Sequence, residues 1–343
     1  MSLRYYRFLS KFLSSRRIIA LRNQQTSGFT LTELLVSLIM GSLVVTGLLG
    51  LTIELLTTDA RETARTETQR EMQMALEYIS TDLREAVYVY DGACLAGVDA
   101  TNGNGEKVAE GSQCGGLVDK LKGTPDGGTP IVGFWKLDPL PDAVGCGTGG
   151  NGTVPCLAGR SYTLVVYYLV INEPDGPWKG LARIVRYELP TYNSQGALVN
   201  NINPDNPEIG FISWPGSDSP PAGNSATLVD FVDSRSLELL EDEVGAGASV
   251  ECPDLYVLTP DKSTLTGEYE NVRNFYACVK VDESLIPSNA NANAPDSAFN
   301  QKVILFIRGN AKGKPGIDTA NEGFMPAIAT QVLNRGVKNK KPK

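Results

Sequence analysis

The longest apolar run of the chain lies near its start, where the 20 residues from Leu34 to Ile53 carry no charge. That is about the length that a helix needs to cross the hydrocarbon core of a bilayer. Cations precede the run and acids follow it from Glu54 onward, so the positive-inside rule predicts a single-pass segment with a cytoplasmic N-terminus. The run passes straight into helical sequence, which is not typical of a cleaved secretory signal.

A helical pattern continues beyond this run. No glycine or proline occurs from Leu51 to Asp91, and apolar residues recur at steps of three or four, at Met72, Leu76, Ile79, Leu83 and Ala86. This spacing predicts an amphipathic helix that prolongs the apolar one, so that a single helix extends from Phe29 to about Val89. The stretch from Thr57 to Arg70 is mostly Thr, Glu and Arg, which predicts a solvated connection between the two halves.

The remainder of the chain has the composition of strands and loops. Segments rich in Gly, Asn, Asp and Pro predict two long loops, at about 91–128 and 141–160. Six segments rich in Val, Ile, Tyr and Phe predict strands, at 131–137, 162–171, 181–189, 255–258, 274–281 and 302–309. The second of these is apolar on both faces, which predicts a central strand with the helix on one side and a hairpin to the third. The predicted fold class is α+β, a long N-terminal helix packed on an antiparallel β-sheet with long disulfide-bearing loops.

The junction before the apolar run has a specific pattern. Residues 28–36 read Gly-Phe-Thr-Leu-Thr-Glu-Leu-Leu-Val, with basic residues upstream and one acid, Glu33, just inside the run. This resembles the class III signal of type IV prepilins and type II secretion pseudopilins. The resemblance implies the type IV pilin fold, cleavage after Gly28 by a prepilin peptidase, and methylation of the new N-terminal amine of Phe29. A carboxylate in a spanning helix is costly without a partner, so Glu33 is expected to act in assembly by pairing with the Phe29 amine of its own or a neighbouring subunit.

The body of the chain carries a second, weaker resemblance. The arrangement of Tyr167-Tyr168, 181–183 and 306–308 resembles the larger minor pilins and pseudopilins of the J or PilW type, and the segment VILFIRGNA is similar to pseudopilins implicated in hormogonium polysaccharide secretion in filamentous cyanobacteria. The resemblance implies a minor subunit that inserts in the inner membrane and helps initiate or cap a type IV pilus-like filament for secretion or motility. Its location would then be a periplasmic or cell-surface filament.

The same resemblance implies partners and a division of the chain. The partners are prepilin peptidase, other major and minor pilins or pseudopilins, the inner-membrane assembly platform and the membrane itself; no enzyme activity and no cofactor are expected. The expected segments are a cleaved cytoplasmic leader, a transmembrane or filament-core helix, its amphipathic half, an extracytoplasmic β-rich head and a basic tail, at 1–28, 29–56, 57–90, 91–335 and 336–343.

The amino-acid composition argues against several classes of function. The 343-residue chain has no histidine, which excludes Ser-His-Asp and Cys-His nucleophile pairs and imidazole zinc sites. The expected leader, residues 1–28, contains six cations and no acid, so the rest of the chain has 25 cations against 39 acids. Such a body repels phosphate backbones, and no nucleic-acid partner is predicted.

The six cysteines are even in number and contain no C-x-x-C pair, which favours disulfides over a zinc site. Nearest neighbours in loops or adjacent strands meet most cheaply. We therefore expect Cys94 with Cys114, Cys146 with Cys156, and Cys252 with Cys278, among 15 possible connectivities.

Three other patterns contain residue types that are typical of sites. A Gly-rich loop offers oxygen ligands at Asp99, Asn102, Asn104 and Glu106, but the spacing does not match an EF-hand, so a solvated loop is favoured and no metal is predicted. The acidic run 238–243 is more typical of a solvated surface than of paired catalytic carboxylates, and Asn151-Gly-Thr153 is too short a glycosylation match to carry weight.

The tryptophans give the alternative function. The chain has three, each with Pro or Gly within two residues, at Trp135, Trp178 and Trp214. Stacking on sugars would make the chain a single-span surface protein whose head binds carbohydrate or another ligand. Burial, or anchoring of a loop, is the commoner role of tryptophan.

Overall fold

The computed structural model describes the following parts of the chain: 28–97, 100–101, 107–109, 116–141, 159–202, 204, 210–216, 218–235, 252–253, 256–261, 265, 274–280, 301–318 and 322–334. They belong to two compact units, one that ends at Leu56 and one that begins at Thr57. Each unit is described by itself.

The N-terminal unit is the apolar part of helix α1, which spans Leu31–Arg84. Within the described residues α1 is the one helix long and apolar enough to span a membrane, with a window of mean hydropathy 2.3 that is entirely exposed. Its hydroxyl side chains donate to backbone carbonyls three or four residues earlier, at Ser37, Ser42, Thr46 and Thr52. Because these polar groups are satisfied within the helix, they are compatible with apolar surroundings.

The remaining elements follow in chain order. The strands are β1 (Ala86–Val89), β2 (Ala100–Thr101), β3 (Lys107–Ala109), β4 (Thr129–Pro139), β5 (Arg160–Ile171), β6 (Ala182–Pro190), β7 (Asn224–Val232), β8 (Tyr256–Thr259), β9 (Phe275–Lys280), β10 (Lys302–Arg308) and β11 (Ala327–Leu333). The short helices are α2 (Gly92–Ala96) and α3 (Gly210–Ser213), with 3-10 turns at Val118–Lys120 and Glu322–Phe324.

The strands form two main antiparallel sheets. The five-stranded sheet has the order β1-β4-β5-β6-β7, and the four-stranded sheet has the order β11-β10-β9-β8. All six strands predicted from the sequence are present, and β5 is the central strand of its sheet. The predicted hairpin is confirmed, since β5 pairs with β6 from Thr163↔Pro190 to Ile171↔Ala182.

The end of α1 differs from the prediction. The helix stops at Arg84, and residues Ala86–Val89, predicted to be helical, form β1 and pair with β4. The sequence there is Ala-Val-Tyr-Val, and β-branched and aromatic residues favour a strand where a sheet edge offers backbone partners. Tertiary pairing therefore overrides the helical spacing at this point.

Helix α1 packs against both sheets through its C-terminal part. One core cluster combines Met72, Ile79 and Leu83 of α1 with side chains of β4, β5 and β6 and of β9, β10 and β11. The opposite face of the five-stranded sheet carries a second cluster, rich in Tyr and Trp. In β5, Val165 faces the first cluster and Leu164 the second, which explains why this strand is apolar on both faces.

A loop between β10 and β11 crosses α1, and we call residues 309–318 the clasp. Lys314 is buried in the clasp, with Nζ 2.8 Å from Oε2 of Glu71 and 3.4 Å from that of Glu67. Arg61 Nε donates to the Gly316 carbonyl at 3.0 Å, and Ala64 is buried. The prediction of a solvated stretch from 57 to 70 is therefore wrong for the side of α1 that faces the clasp.

Candidate processing and assembly site

Gly28 and Phe29 lie just before α1 and are both exposed. A Cβ built on Gly28 would meet no atom within 4 Å, and Phe29 has 73% of its surface exposed. The structure therefore leaves these two residues, predicted to flank the cut, clear of the chain's own described surface. Glu33 follows in the first turn of α1 and is also exposed.

Thr30 caps the helix. Its Oγ accepts the N–H of Glu33 at 3.3 Å, and its carbonyl accepts the N–H groups of Glu33 and Leu34 at 3.0 and 3.1 Å. Thr30 is the N-cap and Glu33 the third helical residue, the pattern of a capping box. The sequence prediction missed this cap, although Thr-x-x-Glu ahead of an apolar run is a readable signal for it.

The position of Glu33 has a local electrostatic reason. A carboxylate in the first turn of a helix interacts favourably with the N-terminal end of the helix dipole, typically by 0.3–1 kcal/mol. No Lys or Arg occurs from Phe29 to Leu56, and in the uncut chain the Phe29 nitrogen is an uncharged amide. Cleavage would therefore create the first cation close to Glu33 along this helix.

A buried ionic network holds the C-terminal part of α1 to the five-stranded sheet. Asp82 Oδ2 accepts hydrogen bonds from Tyr167 Oη at 2.6 Å and Arg186 Nε at 2.8 Å, and Oδ1 lies 3.3 Å from Lys136 Nζ. Asp138 and Glu188 pair in turn with Lys136 and Arg186. The network joins α1 to β4, β5 and β6.

The network keeps Asp82 and Lys136 charged. Burial raises the pKa of Asp82, but hydrogen bonds from Tyr167 and Arg186, with the charges of Arg186 and Lys136, outweigh burial and hold the pKa below its ordinary value. Burial lowers the pKa of Lys136, and the nearby charges of Asp82 and Asp138 raise it above its ordinary value. No local sequence pattern indicates this network, because a single acid on a helix is typical of a surface residue.

One predicted disulfide is present. Cys252 and Cys278 are bonded with an S–S distance of 2.03 Å. Cys94 is also disulfide-bonded, and its partner lies outside the described residues. Cys114, Cys146 and Cys156 lie outside them too, so the other two pairs stay predictions.

Two of the three tryptophans are core residues. Trp135 and Trp214 are buried, and their indole N–H groups donate to the Tyr90 hydroxyl at 3.0 Å and the Ile202 carbonyl at 2.9 Å. Neither ring can stack on a sugar, so that interpretation is wrong for both. Trp178 is 37% exposed, with the Arg183 guanidinium 5.6 Å from its ring centre.

Three other candidate sites are known from the sequence alone. The oxygen-rich loop (Asp99, Asn102, Asn104 and Glu106), the acidic run 238–243 and the Asn151-Gly-Thr153 sequence all lie outside the described residues. Within the described part of the chain, no group of three or more Cys, Asp or Glu is placed to hold a metal ion.

Comparison with known proteins gives one match. A family model described as "Prokaryotic N-terminal methylation motif" matches residues 23–49, a range that includes Gly28, Phe29 and Glu33. No curated protein and no solved structure matches the chain. The motif marks a structural, non-enzymatic kind of protein that is processed at its N-terminus and anchored by the apolar helix that follows. The chain thus carries the prepilin-type N-terminal methylation motif on an apolar helix, and this motif and the α+β fold together fit the type IV pilins and pseudopilins.

Proposed function

We propose that the protein is a minor pilin or pseudopilin. It inserts in the inner membrane with its N-terminus in the cytoplasm, is cut after Gly28 by prepilin peptidase, and receives a methyl group on the Phe29 amine from a methyl donor. It then helps to initiate or cap a type IV pilus-like filament used for secretion or motility. The observation that carries the proposal is the methylation motif at 23–49, which leads directly into an exposed apolar helix.

The exposed apolar surface of α1 is suited to two successive environments, a membrane and the core of a filament. Every residue of α1 up to Leu56 is exposed in the single chain, including 16 large apolar side chains between Leu31 and Leu56. Burial of one such side chain contributes about 1.5–3 kcal/mol, so this surface requires cover. Lipid covers it in the membrane, and the helices of other subunits would cover it in a filament.

The size of the head supports a minor role. The described residues from Thr57 onward include two main sheets, two large core clusters and the clasp, and the sequence adds long loops. In the shaft of a filament each subunit packs against several copies of itself, where such bulk is hard to accommodate. A subunit at the tip has free space on its outer side.

Glu33 would act after cleavage. The new Phe29 amine is a cation in a segment that otherwise has none, and Glu33 is its nearest acid along the chain. In the low-dielectric core of a filament, an ion pair between Glu33 and the amine of its own or a neighbouring subunit would offset the cost of burying both charges. This pairing supports assembly and is not needed for the fold of the head.

Cleavage at Gly28 is the direct test. In cells that contain prepilin peptidase, wild-type chain should yield a product that begins with methylated Phe29, and Gly28→Ala should leave the full-length precursor. Gly41→Ala is the matched control, since a Cβ at either glycine meets no atom within 4 Å. N-terminal sequencing that finds Met1 intact in the sheared filament fraction would refute the proposal.

A further inference from the structure

Thr30 marks the boundary between α1 and the peptide bond that joins Gly28 to Phe29. Its hydroxyl and its carbonyl accept the first hydrogen bonds of the helix, from Glu33 and Leu34. The carbonyl of Gly28 therefore lies two residues outside the helical hydrogen-bond ladder. Phe29 and Leu34 also occupy the two positions of a hydrophobic staple, which supports the same helix start.

We infer that Thr30 is a positioning residue for the processing reaction: its cap stops α1 short of the Gly28–Phe29 bond and keeps that bond available to a peptidase. The inference rests on the proposed function, because cleavage after Gly28 is itself a proposal. The match of the methylation motif to residues 23–49 is the independent observation that directs a processing enzyme to this stretch.

The chemistry explains why the helix start matters. Hydrolysis adds the oxygen of water to the Gly28 carbonyl carbon, breaks the C–N bond and leaves the proton on the Phe29 nitrogen. If α1 began a few residues earlier, the Gly28 carbonyl would accept the N–H of Thr32, and the bond would be enclosed in the helix. The enzyme would then have to unwind that turn before water could reach the carbonyl carbon.

Threonine opposes this extension through its side chain. As an N-cap, its hydroxyl satisfies a helical N–H that would otherwise seek a backbone carbonyl further upstream. Valine has the same shape and no hydroxyl, so Thr30→Val removes the cap together with the hydrogen bond between the Thr30 and Thr32 hydroxyls at 3.1 Å, whereas Thr30→Ser retains a hydroxyl for both. Serine retains the hydroxyl and is an equal or better N-cap.

The test is a cleavage assay with the full-length chain in phospholipid vesicles and purified prepilin peptidase. We expect Thr30→Val to raise KM by up to about fivefold with kcat unchanged, because fewer molecules present the free bond at any moment. Thr30→Ser should cleave with the wild-type KM. Thr46→Val is the matched control, since it removes a hydroxyl that bonds to the Ser42 carbonyl within the same helix.

Each other outcome has a defined meaning. Wild-type KM for Thr30→Val, an equal defect in Thr30→Ser or Thr46→Val, or an effect confined to kcat would overturn the inference while cleavage itself persists. A wild-type chain that is not cut after Gly28 would instead overturn the proposed function. The two failures are therefore distinguishable in one experiment.

Discussion

Replacement of Asp82 by asparagine removes the carboxylate that binds both Lys136 and Arg186. Tyr167, Arg186 and Lys136 all point to this side chain at 2.6–3.3 Å, and their side chains and that of Asp82 are almost wholly enclosed. Removal of one member of a buried ion pair typically costs 3–5 kcal/mol, because the remaining charge stays buried. Here Asp138 and Glu188 still neutralise the two cations, so the expected loss is near the lower limit, about 3 kcal/mol.

The assay is urea unfolding of the full-length protein in detergent, followed by tryptophan fluorescence. Trp135 and Trp214 are buried on the far face of the sheet that the network joins, so their emission reports the packing of the head. A loss of about 3 kcal/mol is a large part of the 5–15 kcal/mol that is typical of a folded protein. Glu77→Gln, an exposed acid of the same helix, should change the free energy of unfolding by less than about 0.5 kcal/mol.

The pH dependence gives an independent check. The folded-state pKa of Asp82 lies below its ordinary value of 3.8, so its stabilisation is complete above that value and is lost as the pH falls through the folded-state pKa. The difference in stability between wild type and Asp82→Asn should therefore be constant near neutrality and decrease below about pH 4. Equal unfolding midpoints at pH 7 would refute the role assigned to the network.

Three further predictions concern other parts of the molecule. Gly309→Ala should destabilise the head by about 1–3 kcal/mol in the same assay, since its Cβ would lie 2.8 Å from a methionine carbon of α1, whereas Gly323→Ala should be neutral because its Cβ meets no atom within 4 Å. Loss of the Cys252–Cys278 bond, which spans 26 residues, should lower the free energy of unfolding by about 3–4 kcal/mol, measured for the double serine variant. Glu33→Ala should remain cleaved and membrane-inserted while its incorporation into filaments falls, and immunogold labelling should find wild type at filament tips; labels along the whole shaft would contradict a tip position.

The sequence predicted those elements whose pattern is set by burial alone. β5 could be predicted because both its faces are covered. The hairpin to β6 could be predicted because a Pro- and Gly-containing turn separates two apolar runs. β7 and β11 were missed, since both are edge strands with exposed positions that mix polar and apolar residues. β1 was missed because its residues also fit a helical spacing, and only a neighbouring strand decides between the two.

One part of the candidate site could be predicted from the sequence and another part could not. Gly28, Phe29 and Glu33 form one short linear pattern, so the motif was recognisable without a structure, and the cap at Thr30 is equally local. In the Asp82 network, Arg186 bonds to a residue 104 positions away, and nothing near Asp82 in the chain distinguishes it from a surface acid. Contacts of this kind depend on how the sheet is assembled, which no local pattern encodes.

The clasp also determines how the head would bear a mechanical load. If a filament is pulled through its N-terminal helices, tension enters the head along α1 and reaches Arg61, Glu67 and Glu71 before it reaches Asp82. The contacts of the clasp would then carry the load first, and the Asp82 network would carry it after them. The clasp would thereby take up tension from α1 before the core of the head does.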